Sequence, residues 1–379
     1  MSRAAILILG MHRSGTSALT WLLGQLGAAL PKDAIAASGD NARGYWESQA
    51  LVKADDQLLR VVRSSWFDPR PLDFSRLSAD GLRSRKNRIR EAIESAWGDA
   101  PLLAIKDPRQ CRCVPVIADV LGEMGIEPRA ILMLRSPAEI ARSIASRDGT
   151  TLAYAHLLWL RHMIDAERAT RGMMRALVDY DGMLADWRGT VARIAPLAGR
   201  PDWLPGEREA AAIDAFLDPG LRHHRAVAAE LEEPLGGIVH IVEEGLRGLL
   251  EHDDGAARER LDRAYALLDE APWLEGDIVH DELRHRRMAP EIVVETELAA
   301  PPQPQPALDP SGEADLIRNS GLFDADYYRA RYPDAAESGL DPVDHYLQVG
   351  AAKGYDPSPL FDTGYYARQM ARRMGAAGR

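Results

Sequence analysis

The chain has 379 residues, 46% of them hydrophobic and 27% charged, with a formal net charge of −11. That length has room for two domains, one with a proper core. The acidic balance argues against a general nucleic-acid binder but leaves space for a local basic pocket. The two cysteines, Cys111 and Cys113, form a Cys-x-Cys that builds neither a disulfide framework nor a zinc site, and reduced thiols are expected.

Residues 4–9 form a short, continuous apolar run, as expected of a buried parallel strand. A polar loop interrupts it at Gly10, and a helical pattern follows from Ser17 to Gln25. Two further apolar runs, within 101–109 and 129–137, each lead into a helical pattern. Strands alternating with helices predict an α/β fold, a P-loop-type parallel sheet flanked by helices. All three runs end in basic residues: His12 and Arg13, Lys106 and Arg109, Arg135. Ligands of such sheets lie at the carboxyl ends of the strands, so these side chains are expected to converge.

A helical pattern covers 151–198, with Trp159, Met163 and Ala166 on one stripe, and another covers 226–288. Residues 300–312 carry five prolines and read as a stiff linker. Beyond them lie seven of the eleven tyrosines, and "LFDADYY" (322–328) recurs as "LFDTGYY" (360–366). The expected organisation is an α/β domain over 1–230, a helical extension over 231–298, a linker over 299–312 and a small helical C-terminal module over 313–379. No stretch is long and apolar enough for a signal-peptide core or a spanning helix, which predicts a cytoplasmic protein, at most peripheral to the membrane's inner face.

The opening loop, "GMHRSGTS" (10–17), carries the clearest chemistry. Its Gly10-x-x-x-x-Gly15 spacing after a strand places loop amides and a helix N-terminus around an anion. Arg13 adds a charged fork, and Ser14, Thr16 and Ser17 add hydroxyls. A nucleoside triphosphatase would carry lysine where Thr16 stands, together with Mg²⁺ held by an acidic strand end. Asp107, the one such acid, directly follows Lys106. A sulfuryl group carries less charge than a phosphoryl group, so protein cations alone can assist its transfer, and no metal is expected.

This loop resembles the 5′-phosphosulfate loop of sulfotransferases that use 3′-phosphoadenosine 5′-phosphosulfate (PAPS). "LRSPAEIARS" (134–143) places Arg135 and Ser143 eight residues apart, as in that family's 3′-phosphate site. "KDPR" (106–109) resembles the Lys-Asp-Pro element of the tyrosylprotein and glycan branch, where the lysine stabilises charge on the sulfuryl group. "VDYDGMLADWRGTVARI" (178–194) is similar to the family's Tyr-Glu-Asp-Leu segment and is read as mainly structural. The resemblance covers roughly residues 4–225. It implies a PAPS donor bound through Arg13, Ser14, Gly15, Thr16, Ser17, Arg135 and Ser143. The Arg-Lys-Gly motif of the small-molecule branch has no counterpart, "PGLRHHR" (219–225) being the only basic, glycine-bearing loop at a comparable place.

Catalysis also needs a general base for the acceptor hydroxyl. "NARGYWES" (41–48) offers Glu47 beside Tyr45 and Trp46, rings able to stack on a sugar, and carbohydrate-acting relatives show a similar Gly-Tyr-Trp-Glu. His12 is the second candidate and Asp40 the third. The catalytic set is therefore Glu47, Lys106, Arg13 and His12. The tail resembles a module of bacterial cell-surface polysaccharide enzymes, either a packing appendage or a dock for a glycan-assembly partner. The expected activity is sulfuryl transfer from PAPS to a hydroxyl of a saccharide or polysaccharide precursor. The alternative is another P-loop nucleotide-binding protein, a kinase or a catalytically silent module.

Overall fold

The structure is a computed structural model. It describes residues 3–37, 41, 44–200, 203–217, 231–251, 255–270, 276–282 and 323–358, with isolated positions 285, 314, 317, 318 and 363. The chain divides into two compact units, Met1–Ile292 and Val293–Arg379.

The first unit is built on a four-stranded parallel sheet: β1 (Arg3–Leu9), β2 (Leu102–Lys106), β3 (Ile126–Leu134) and β4 (Arg175–Asp179), in the order β2-β1-β3-β4. β1 pairs with β2 on one side and β3 on the other, with Ile8 beside Lys106 and Leu9 beside Leu132. The chain thus leaves β1 to one side and returns on the other. That reversal opens a crevice at the carboxyl end of β1.

Both faces of the sheet are covered, which explains the unbroken apolar runs. Ala5, Leu7 and Leu9 of β1 face one buried cluster, while Ala4, Ile6 and Ile8 face the other. The first cluster receives α2 (Gln49–Val61), α3 (Ala79–Trp97), α4 (Val114–Glu123), α5 (Pro137–Asp148) and α6 (Leu152–Thr170). The second receives α1 (Thr16–Gln25), α8 (Trp187–Ile194) and α9 (Glu207–Phe216).

The helical expectation over 151–198 needs correction: β4 interrupts it, and α7 (Tyr180–Ala185) follows. Leu177 and Val178 are the buried pair within a short, polar-flanked strand, too little periodicity to declare itself.

The segment expected as a helical extension is built into the same core. Leu235, Val242 and Leu249 of α10 (Leu235–Glu251) and Leu261 and Tyr265 of α11 (Gly255–Asp269) join the cluster that holds β1. A buried polar knot fixes this junction. Glu167 of α6 is fully buried and accepts from Arg171, from Arg175 at the start of β4, and from the Tyr265 hydroxyl at 3.1 Å.

The second unit is small and aromatic. Its helices are α12 (Ala325–Arg331), α13 (Pro333–Glu337) and α14 (Pro342–His345). The first copy of the repeated motif explains itself here: Asp324 caps α12 by accepting from the N–H groups of Asp326 and Tyr327, while Phe323 and Tyr328 turn inward. The Tyr328 hydroxyl meets His345 Nδ1 at 3.1 Å, and Tyr332 stacks on Tyr355 at 3.9 Å between ring centroids. Apart from Thr363, the second copy lies outside the described residues, as does the linker.

Removing the carboxylate of Glu167 takes away the buried acceptor shared by Arg171, Arg175 and the Tyr265 phenol. Glu167→Ala should therefore destabilise the protein by about 3–5 kcal/mol in denaturant unfolding. A loss below about 1 kcal/mol, the scale of a surface pair, would mean that the knot does not hold the junction.

Candidate functional site

Of the basic residues expected to converge, Arg13 and Arg135 meet in one group and Lys106 reaches Ser17 of the same loop, while His12 and Arg109 are engaged elsewhere. Gly10 follows β1, and the loop 10–17 folds back on itself through Ser14 N–H donating to the Met11 carbonyl. Any Cβ at Gly10 would come within 2.6 Å of Ser14 Oγ. Gly15 (φ +94°) is the N-cap of α1, so the loop enters the helix through a conformation that glycine tolerates best. A Cβ there would lie 2.2 Å from the Tyr180 ring. The loop amide of Gly10 donates to Cys111 Sγ at 3.1 Å, and burial pushes that thiol up to about 12. Both cysteines are free and buried, and Cys111 anchors the loop's first turn.

Two clusters of functional side chains meet at this loop. On the β3 side, Arg135 caps the strand end. Its Nε donates to Glu139, its Nη1 donates to the Arg13 carbonyl at 3.0 Å, and its guanidinium lies 4.8 Å from the centroid of Tyr180. Arg13, held at φ +70°, sends Nε to Ser143 Oγ at 2.9 Å. Arg135 and Ser143 are thus joined through Arg13 into one connected group. Tyr180, which the sequence marks as mainly structural, belongs to this group: it walls Gly15 and lies against Arg135.

On the β2 side, Lys106 is buried at 4% exposure, and its ammonium has three protein acceptors. It is ion-paired with Glu47 Oε1 and donates to Ser17 Oγ at 3.2 Å and to the Tyr45 carbonyl at 3.1 Å. Glu47 is carried into place by local pairing: Ile35 N–H donates to its carbonyl, and the next residue, Ser48, caps α2 and donates to Asp33. Burial raises the Glu47 carboxyl above its ordinary value of 4.5, and Asp107 adds to this, while the Lys106 ammonium opposes it. Trp46 adopts a left-handed backbone, φ +59°, as does Arg13 in the loop; such strain gathers where a side chain must be aimed.

His12 points away from these clusters. Its ring lies 4.4 Å from Trp66, and its Nε2 is buried without a hydrogen-bond partner. Desolvation, followed by the nearby positive charges of Arg109 and Arg147, holds its pKa well below 6.5, so the imidazole is neutral. Arg109, expected at the strand ends, is committed to acids: Nε donates to Asp56 at 2.7 Å and Nη1 to Asp107 at 3.0 Å.

Trp66 carries no motif and stands beside Phe67 in a polar turn, "SSWFDPR" (64–70). Its loop is pinned from below, with Arg112 donating to the carbonyls of Asp68 and Arg70, Arg161 to that of Pro69, and the Tyr154 hydroxyl to that of Phe67. Two expected elements, Asp40 and the 219–225 loop, lie outside the described residues. Ser14 Oγ is buried inside the loop without a partner, and Thr16 is buried at its end. An orphan hydroxyl, Arg13 and a helix N-terminus within one loop, with Arg135 donating to that loop from the end of β3, fit an anionic ligand.

No family model and no curated protein matches the chain. Among solved structures it is similar to the sulfotransferase domain of the Synechococcus olefin synthase, at 15% identity and a TM-score of 0.37, over 63% of this chain and 94% of that one. It is similar to the sulfotransferase domain of the curacin biosynthetic pathway at 13% identity and a TM-score of 0.34, covering 63% and 96%. A sulfotransferase from Mycobacterium tuberculosis aligns at 15% identity and a TM-score of 0.33, covering 56% and 71%. These likenesses say nothing of this chain's donor or acceptor.

The Gly15–Tyr180 contact predicts a test of the loop's geometry. Gly15→Ala should cost more than the roughly 1–2 kcal/mol of left-handed strain alone, because its methyl group collides with Tyr180. Tyr180→Ala should relieve part of that excess in a double-mutant cycle of unfolding free energies. Strict additivity would show that the ring does not press on the loop.

Proposed function

We propose that the protein transfers a sulfuryl group from PAPS to a hydroxyl of a saccharide or cell-surface polysaccharide precursor. The observation that carries this reading is the connected group of Arg13, Ser143 and Arg135 beside the glycine loop. In this reading the glycine loop would take the 5′-phosphosulfate, and Arg135 with Ser143, joined to it through Arg13, the 3′-phosphate.

In this reading the loop amides, Ser14, Gly15, Thr16 and Ser17 bind the 5′-phosphosulfate, and Arg135 with Ser143 binds the 3′-phosphate. The acceptor oxygen forms a bond to sulfur while the bond from sulfur to the bridging phosphate oxygen breaks. The acceptor proton passes to Glu47, and the products are a sulfate ester and adenosine 3′,5′-bisphosphate. Lys106 and Arg13 offset the charge that grows on the sulfuryl and bridging oxygens. All three groups that Lys106 touches are protein atoms, so it reaches the sulfuryl group by exchanging one of them. Glu47 suits the base role because burial makes it more basic than an ordinary glutamate, whereas His12 is held neutral and weakly basic.

The kinase alternative needs Asp107 for a metal. That carboxyl instead accepts twice from Arg109 at Oδ1, through the backbone N–H and Nη1, both at 3.0 Å. No helix among the described residues is long and apolar enough to cross a membrane. A cytoplasmic location near the inner membrane face, a separable module over 313–379 and a glycan-assembly partner for that module belong to the same proposal.

Titration calorimetry tests the donor site. Adenosine 3′,5′-bisphosphate should bind more tightly than ADP, and Arg135→Ala should lose about 1.5–3 kcal/mol of that affinity. Equal affinities for the two nucleotides would refute the 3′-phosphate assignment.

Turnover tests the catalytic set. Arg13→Ala and Lys106→Ala should lower kcat by about 10²–10³. Glu47→Gln keeps an oxygen for Lys106 and should hold nucleotide affinity while turnover falls by about 10²–10⁴. Because the Glu47 pKa is raised, wild-type kcat should fall with decreasing pH at a midpoint above 4.5. If His12→Asn is dead while Glu47→Gln turns over normally, the base is His12.

A further inference from the structure

Behind the Lys106–Glu47 pair lies a second set of buried acids that the proposed reaction leaves unused. Asp55, on the inward face of α2, is fully buried, and Asp107 is exposed by only 1%. Each carboxyl has one oxygen with a donor: Asp55 Oδ2 accepts from Gln110 Nε2 at 3.0 Å, and Asp107 Oδ1 accepts from Arg109. The other two oxygens, Asp55 Oδ1 and Asp107 Oδ2, are buried and meet no donor. Yet the two side chains lie within hydrogen-bonding reach of each other. Two carboxylates can only accept, so neither can satisfy the other. One proton between them turns two orphaned acceptors into a single O–H···O bond.

We propose that Asp55 and Asp107 share one proton, carried by Asp55, and that Asp55 is thereby a positioning residue for the turn that bears Lys106 and Arg109. The proton is placed on Asp55 because its one donor is the neutral amide of Gln110, whereas both donors to Asp107 come from Arg109. Burial and the neighbouring Asp107 charge push the Asp55 carboxyl well above its usual range, against the pull of Gln110.

The charged neighbours give the proton its purpose. Facing this pair are Asp56 on the same helix, Glu47 at the helix entry, Lys106 and Arg109 on the β2 side, and the buried Cys113 thiol with the Arg112–Asp165 ion pair beyond. With Asp55 ionised, four carboxylates would face Lys106 and Arg109 beside a site that must admit an anion. The shared proton removes one negative charge and hydrogen-bonds Asp107 from the side opposite Arg109.

The test uses the full chain. Isotope-edited infrared spectra at neutral pH should show a protonated buried carboxyl in the wild type that disappears in Asp55→Asn. The folded state retains a proton that the unfolded chain releases above pH 3.8. Wild-type stability should therefore fall as pH rises beyond that value. Asp55→Asn, whose amide can donate to Asp107 Oδ2, should be spared this loss, so its melting temperature should gain on the wild type towards alkaline pH. Absence of the protonated band from the wild type at neutral pH overturns the proposal, whether or not the variant folds. So does an Asp55→Asn penalty that is independent of pH.

The positioning role rests on the nucleotide reading above and has its own readout. Affinity for adenosine 3′,5′-bisphosphate should weaken about tenfold in the wild type as the pair loses its proton and stay level in Asp55→Asn. Parallel pH profiles would overturn the role. Failure of both proteins to bind the nucleotide would instead count against the proposed function, and the infrared result would still decide the shared proton.

Discussion

The ammonium of Lys106 is the constraint on which the site depends. A lysine buried this deeply persists only if its charge is paired and its protons are accepted. Three acceptors from two separate segments answer that requirement: Glu47 and the Tyr45 carbonyl from the strained 44–48 turn, and Ser17 from the first turn of α1. One side chain at the end of β2 therefore fixes the phosphate-loop helix and the aromatic turn relative to each other. The left-handed backbone of Trp46 is tolerated because this pairing holds its neighbours on both sides.

The same logic runs around the whole strand edge. Three of the cations there are matched with an internal acid: Lys106 with Glu47, Arg135 with Glu139, Arg109 with Asp56 and Asp107. The site is thus preorganised before any ligand arrives, and an anion gains contacts by exchange. Preorganised charge of this kind costs little rearrangement during reaction, the condition under which electrostatic stabilisation is strongest. The buried Asp55–Asp107 pair extends the pattern one layer deeper, with a proton in place of a cation.

Much of this was legible in the sequence, for identifiable reasons. The strands at 3–9, 102–106 and 126–134 announce themselves because two-sided burial demands unbroken apolar residues, and the glycine loop because its geometry demands Gly10 and Gly15. Arg135 and Ser143 were readable because both sit on or beside one helix, where spacing translates into proximity. The contact of Glu47 with Lys106 spans 59 residues, and no local pattern encodes it. Tyr180 was missed as a member of the site for the same reason: it reaches the loop from a distant turn. β4 was hidden by its brevity, and Asp55 carries no motif: only its full burial on α2 sets it apart.

The central claim is that these residues move a sulfuryl group without a metal. The most direct measurement is incubation of the full chain with PAPS labelled in sulfur, a panel of saccharide precursors and excess chelator. The account predicts label in a saccharide sulfate ester, with stoichiometric release of adenosine 3′,5′-bisphosphate. Unchanged PAPS across the panel, together with phosphoryl transfer from ATP once Mg²⁺ is restored, would contradict it.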